Sequence, residues 1–251
     1  MDGIAKRLAQ LRREVAREWK QRTKQRRREP QRAPYRLPAN PGEWRQLGAA
    51  VLRGALRLLV IVALPFVVLV RGSVFFYEHG RVPAWIAVPT AAALTIAVVT
   101  IYASWLVRTL TGRRSKALML ARWVALPLVL FYCGYSLLYL SRVNAKPDVR
   151  AYYTSVHPLL RLALSTWILV DPNMVVTDMR RAREDYPRMR LPVNESSLHY
   201  RQADGWVHAV DLRTARRGWL RSRVLQLYFW VMGFDTRRHV GTADHLHVEL
   251  R

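Results

Sequence analysis

The last eleven residues, "GTADHLHVELR", place His245 and His247 one residue apart, just behind Asp244. Upstream, the stretch "SSLHYRQADGWVHAVDL" carries His199, His208 and Asp211. Two or three imidazoles and a carboxylate make a zinc site without thiolates, with one position left open where the site is catalytic. The chain has one cysteine, Cys133, inside an apolar run, so it offers neither a disulfide nor a thiolate site. Any metal must therefore be held by His, Asp or Glu.

Whether these donors converge depends on the elements that carry them. "SSLHYRQADGWVHAVDL" reads as a β-hairpin turning at Asp204 and Gly205, and "HLHVEL" alternates as a strand. With an odd loop, Ala203-Asp204-Gly205, Tyr200 faces His208, His199 faces Ala209, and Asp211 is a diagonal neighbour of His199 on the same face. With an even loop His199 shares its face with His208, and Asp211 turns away. Both registers remain open at this point. The rest of the segment predicts an α+β domain: a helix over "HPLLRLALSTWIL", a short strand leading into a loop at "NMVVTDMRR", and either a helix or a buried strand at "RSRVLQLYFWVMGF".

The order of "TDMR", "SSLH", "AVDL" and "DHLHVEL" resembles the M15 zinc peptidases. These are the D-alanyl-D-alanine carboxypeptidases and dipeptidases with their phage endolysin relatives, whose fold also underlies the Hedgehog signalling domain. Arg180 matches an arginine in a "GYR"-like turn, and Ser197 and His199 match the serine and first zinc histidine of SxHxxGxAxD. Ala209 and Asp211 match its AxD, and Asp244 and His247 match an acid three positions ahead of the last zinc histidine. The tip between His199 and Asp211 is longer than the family's by about five residues. In the other register His208 replaces His199, and "HAVD" with "HLH" is closer to the related lysostaphin-type arrangement.

The resemblance covers roughly residues 155 to 251. It implies Zn2+ on His199, Asp211 and His247, with Asp244 as general acid/base. Arg180 would stabilise an oxyanion or hold a substrate carboxylate. The implied activity is a carboxypeptidase or endopeptidase acting on peptidoglycan stem peptides. A zinc-containing binding module that does not catalyse is the alternative on the same residues, and Asp244 is what separates the two.

The remainder of the chain is membrane-like. Its formal net charge is +24 although 51% of its residues are hydrophobic, so charge and apolarity must be segregated along it. Residues 1–46 form a basic tail with fourteen Lys or Arg against five acids, and its first 28 residues or so fit a basic amphipathic helix. Residues 52–140 hold three apolar runs of spanning length, at about Leu52 to Val70, Val82 to Val107 and Ala117 to Leu140. No uncompensated carboxylate lies mid-span, so an ion or proton route is not indicated. A long basic stretch ahead of the first run excludes a cleavable signal peptide.

The tail and the connection "RTLTGRRSK" are the most basic segments flanking the runs, which predicts an N-terminus inside a bacterial cytoplasmic membrane. Three spans then carry residues 142–251 to the outer side. The fold class expected is a three-helix transmembrane region followed by a small α+β zinc peptidase-like domain. Its expected partners are lipids along the spans and tail and a peptidoglycan peptide at the site, with nucleic acid disfavoured.

Overall fold

The computed structural model describes residues 40–112, 116–188, 192–241 and 244–251. The expected basic amphipathic helix lies outside these residues, as do Arg113 and Arg114 of the second connection. The chain divides into two compact units, Met1–Ala55 and Leu56–Arg251.

Three long helices come first: α1 (Pro41–Glu78), α2 (Ala84–Thr111) and α3 (Ala117–Leu138), each long and apolar enough to cross a membrane. At 1.5 Å per residue α1 runs for about 57 Å, longer than a hydrocarbon core of about 30 Å, so it overruns the expected span at both ends. Asn40 starts it: the Glu43 N–H donates to Asn40 Oδ1 (2.9 Å), and Asn40 Nδ2 donates back to Glu43 Oε1 (3.1 Å). α3 loosens into a π-helical turn at Ala121–Ala125, just ahead of Pro127. Proline has no N–H to continue the ladder, and widening the turn relieves its clash with the preceding carbonyl.

The C-terminal part holds α4 (Pro147–Arg150), a 3-10 turn (Tyr153–Ser155), α5 (Pro158–Val170), β1 (Val176–Asp178), α6 (Asp185–Arg188), β2 (Ala209–Arg213), α7 (Trp219–Met232), β3 (Asp235–His239) and β4 (His245–Glu249). α5 is buried from Leu159 through Trp167, more completely than an amphipathic pattern implies. Its remaining sides pack on α2, α3 and α7. The join to α3 is polar as well as apolar: Tyr132 Oη and Thr166 Oγ1 lie 2.6 Å apart, and the Tyr153 hydroxyl donates to the Ser136 carbonyl (2.5 Å).

α7 resolves the stretch that could have been helix or strand. It ends at Gly233, φ 100°, where a Cβ would overlap Arg71 Nη1 and come within 2.8 Å of Val74 Cγ1 on α1. Gly233→Ala should therefore destabilise the protein by about 1–3 kcal/mol, read as a lowered unfolding midpoint in detergent. An unchanged midpoint would mean that this approach of α7 to α1 is not close.

The sheet is antiparallel throughout, in the order β1-β2-β4-β3. Val210, Leu212, Leu246 and Val248 point to the buried face, and by the two-residue period their neighbours point to the other. Register brings Asp211, His247 and Arg237 into one row of that polar face and Arg213, His245 and His239 into the next.

The expected hairpin forms only at its tip. Arg201 bridges Val207, which is the odd-loop register, with Gly205 in the left-handed region (φ 84°). Before it, residues 192–200 are turns rather than a strand. The reason is tertiary: β1 and β4 already occupy both edges of β2, so the first arm has no edge to pair with.

Candidate metal centre

His199 Nε2, Asp211 Oδ1 and His247 Nδ1 converge. Asp211 Oδ1 lies 2.8 Å from His247 Nδ1 and 3.4 Å from His199 Nε2. β2 and β4 position two of the three by direct pairing of Asp211 with His247. The third stands on the turn preceding the hairpin tip, pinned there by a hydrogen bond to the chain leaving β1.

Proton placement indicates what the cluster is for. The Met179 carbonyl can only accept, so the 2.7 Å contact at His199 Nδ1 places a proton on that nitrogen. On the neutral ring, Nε2 is then a bare lone pair. It is buried, has no hydrogen-bond partner, and faces a carboxylate oxygen that is also an acceptor. Two acceptors facing each other away from water are costly, and a positive charge between them, a proton on the ring or a metal ion in its place, removes the cost. The donor set of two imidazoles and one carboxylate fits zinc.

The surroundings orient the Asp211 and His247 side chains of the cluster. Arg181 Nη2 donates to Asp211 Oδ2 (2.6 Å) while its Nε donates to Asp178 Oδ2 (2.5 Å). Glu249 Oε2 lies 3.2 Å from His247 Nε2, the nitrogen that the site leaves over. Burial opposes the charge of Asp211, yet the imidazoles of His199 and His247 and the Arg181 guanidinium hold its carboxyl well below the usual carboxylate range. Burial also opposes charge on His247, and here Asp211 and Glu249 raise its pKa overall.

Glu249 fixes the tautomer and angle of His247 as the outer partner of a metal-bound histidine does. Glu249→Gln should weaken zinc binding about 10–100-fold in chelator competition, with one zinc still bound at saturation. Unchanged affinity would remove Glu249 from the site.

A cavity of about 700 Å³ opens beside the cluster and is bounded by Arg181, Ser197, Arg237, His239, His245 and Arg251 among others. His245 Nε2 lies 3.9 Å from Asp211 Oδ2, and the His239 and His245 rings stack at 4.7 Å. Two expected residues stand elsewhere. Asp244 Oδ1 accepts from the Gly241 N–H (2.7 Å), and the residue does not line the cavity. Arg180 is exposed over the Tyr152 ring, and the guanidinium at the cluster belongs to its neighbour Arg181. Ser197 lines the cavity, and its Oγ accepts from the His199 N–H (3.3 Å).

Glu249, Arg237 and His239 were missed by sequence reasoning. The signal for Glu249 was present, because alternation puts it on the face of His245 and His247. Arg237 and His239 needed the β3–β4 pairing, which no local pattern announces.

A second cluster joins His157, Asp204 and His208. His208 Nε2 lies 2.8 Å from Asp204 Oδ2, and His157 Nε2 lies 3.7 Å from it. Here the protons argue against a metal. His157 Nδ1 accepts the Leu159 N–H (3.3 Å) as the cap of α5, so on the neutral ring the proton sits on Nε2, which cannot ligate. Burial holds that ring neutral, its pKa pushed down to about 3. His208 is thereby committed to Asp204 and is not a ligand in the first cluster.

Comparison of the chain with protein-family models, with curated proteins and with solved structures yields no match.

Proposed function

We propose that this chain is a membrane-anchored zinc peptidase whose C-terminal domain, outside a bacterial cytoplasmic membrane, hydrolyses peptidoglycan stem peptides. The observation that carries the reading is the bare, buried Nε2 of His199 beside Asp211 and His247, open to a cavity with basic walls. His199, Asp211 and His247 would hold the ion, which supplies Lewis-acid polarisation of a scissile carbonyl. Arg237, exposed at the cavity wall, suits the carboxylate of a peptide ending in D-alanine, whereas the Arg251 guanidinium is taken by Glu249 and Asp235.

The proton acceptor favoured by this geometry is His245, which lines the cavity next to the cluster. It takes the proton of the attacking water and returns it to the leaving amine, the two halves of general acid/base work. Asp244, given that role by resemblance, has its carboxylate turned to Gly241 N. That same orientation favours the second reading, a zinc-containing module that binds wall peptides or a partner protein without cleaving them.

Incubation of the full-length protein with wall-derived peptides tests the choice: release of D-alanine supports the enzyme, and binding without release supports the module. Location has its own test. Cys133 is buried, so cysteines placed at the exposed Lys116 and Lys146 report cleanly. A membrane-impermeant thiol reagent applied to intact cells should label Lys146→Cys and spare Lys116→Cys, and the opposite pattern moves the domain to the cytoplasm.

A further inference from the structure

We propose that α7 is an interfacial helix, lying in the membrane–water boundary with its outward apolar face among the lipid headgroups. An apolar face that a helix does not bury in a core belongs against lipid or a partner, and α7 carries apolar residues on two opposite faces, only one of which is in the core. Ser222, Leu225, Phe229 and Met232 are buried against the domain. Trp219, Leu220, Val224, Leu227, Trp230 and Val231 are exposed, Trp219 and Leu220 each at 67% and Trp230 at 65%. At 3.6 residues per turn these six occupy one continuous arc of about 140°, opposite the buried one.

The occupant follows from composition and position. The arc contains two tryptophans, the side chain enriched at the hydrocarbon boundary, and one arginine, Arg223, whose guanidinium lies 5.9 Å from the Trp219 ring centroid. A long basic side chain there keeps its stem in the apolar layer and its charge among phosphates. No acid occurs between Trp219 and Met232, so nothing repels an anionic surface.

Position agrees. Gly233 brings the C-terminus of α7 against Arg71 and Val74, near the Glu78 end of α1. Tyr228 fixes the other flank, its hydroxyl donating to the Ala163 carbonyl (2.9 Å) and its ring 5.0 Å from that of Trp167. The helix is thus held beside the end of a candidate span, where a bilayer's interface falls. That same C-terminal end leads directly into β3, which carries Arg237 and His239 of the cavity.

The test uses the full chain in nanodiscs of anionic lipid, with a nitroxide at Leu220→Cys, Val224→Cys or Leu227→Cys. These side chains are outside the core, so labelling leaves the fold intact. Collision with oxygen and with a water-soluble nickel chelate should place all three labels about 5–10 Å inside the phosphate level. A label at Arg188→Cys, a side chain 80% exposed on α6, should read as water. Nickel accessibility at the three α7 positions equal to that at position 188 overturns the proposal. So does shielding from both reagents with spin coupling between chains, which would make the face a contact between two copies. Brominated lipid provides a second measurement without labels: Trp219→Phe/Trp230→Phe should remove a large share of the quenchable emission, and unchanged quenching counts against the interface.

Discussion

One zinc per chain is the expected result for the purified full-length protein, and His199→Ala is expected to abolish it. Losing the outer partner of a metal-bound histidine costs about 10–100-fold in affinity, and losing the histidine itself costs more. His199 is the cleaner variant. Asp211→Ala also takes from Arg181, whose side chain is 16% exposed, one of its two carboxylate partners and leaves Asp178 alone to hold it, a loss that itself lowers stability. Metal loss in that variant is therefore mixed with unfolding. His208→Ala is the control and should keep one zinc, because its ring serves Asp204. Two zincs in the parent chain, falling to one in His208→Ala, would refute the proton argument at His157. A protein that takes up no zinc at any affinity would remove the peptidase and the zinc module together.

The second large effect separates the two acceptors. His245→Gln should lower the rate of D-alanine release about 100- to 10,000-fold, the usual worth of a positioned general acid/base, while zinc stays bound. Asp244→Asn should change the rate by less than about tenfold, or roughly 1.4 kcal/mol of barrier. The contrast is informative because both residues lie outside the ligand set. Retained zinc with lost turnover is not what a merely structural role produces. Should Asp244→Asn carry the large loss instead, the carboxylate must leave Gly241 N to work, and the spacing ahead of His247 would be the correct guide. Absence of turnover in the parent chain, with zinc and peptide both bound, leaves the binding module standing.

The legible part of this protein was whatever follows from local chemistry. Three apolar runs of spanning length dictate three long helices, because a backbone in hydrocarbon must satisfy its own hydrogen bonds. The span ends shifted, since α1 continues well past the apolar window and the chain alone holds no stop signal there. Alternation in "HLHVEL" put His245 and His247 on one face, and the same alternation contained Glu249. The resemblance to the M15 peptidases implied His199, Asp211 and His247 as a ligand set where the hairpin pattern alone left His208 open, and the three side chains do meet.

Tertiary structure decided which nitrogen, which arginine and which acid. Pairing of Asp211 with His247 across β2 and β4 is a long-range event, and by occupying the edges of β2 it denied the first arm of the hairpin its ladder. That freed residues 192–200 to turn, and only then could His199 reach the Met179 carbonyl and aim Nε2 at Asp211. Arg180 and Arg181 are adjacent and chemically alike, and the path of the chain out of β1 selects between them. Asp244 precedes His247 by an odd number of residues, which in an extended strand places the two on opposite faces. Spacing along a chain specifies a face; the partners waiting on that face come from strands that only folding brings alongside.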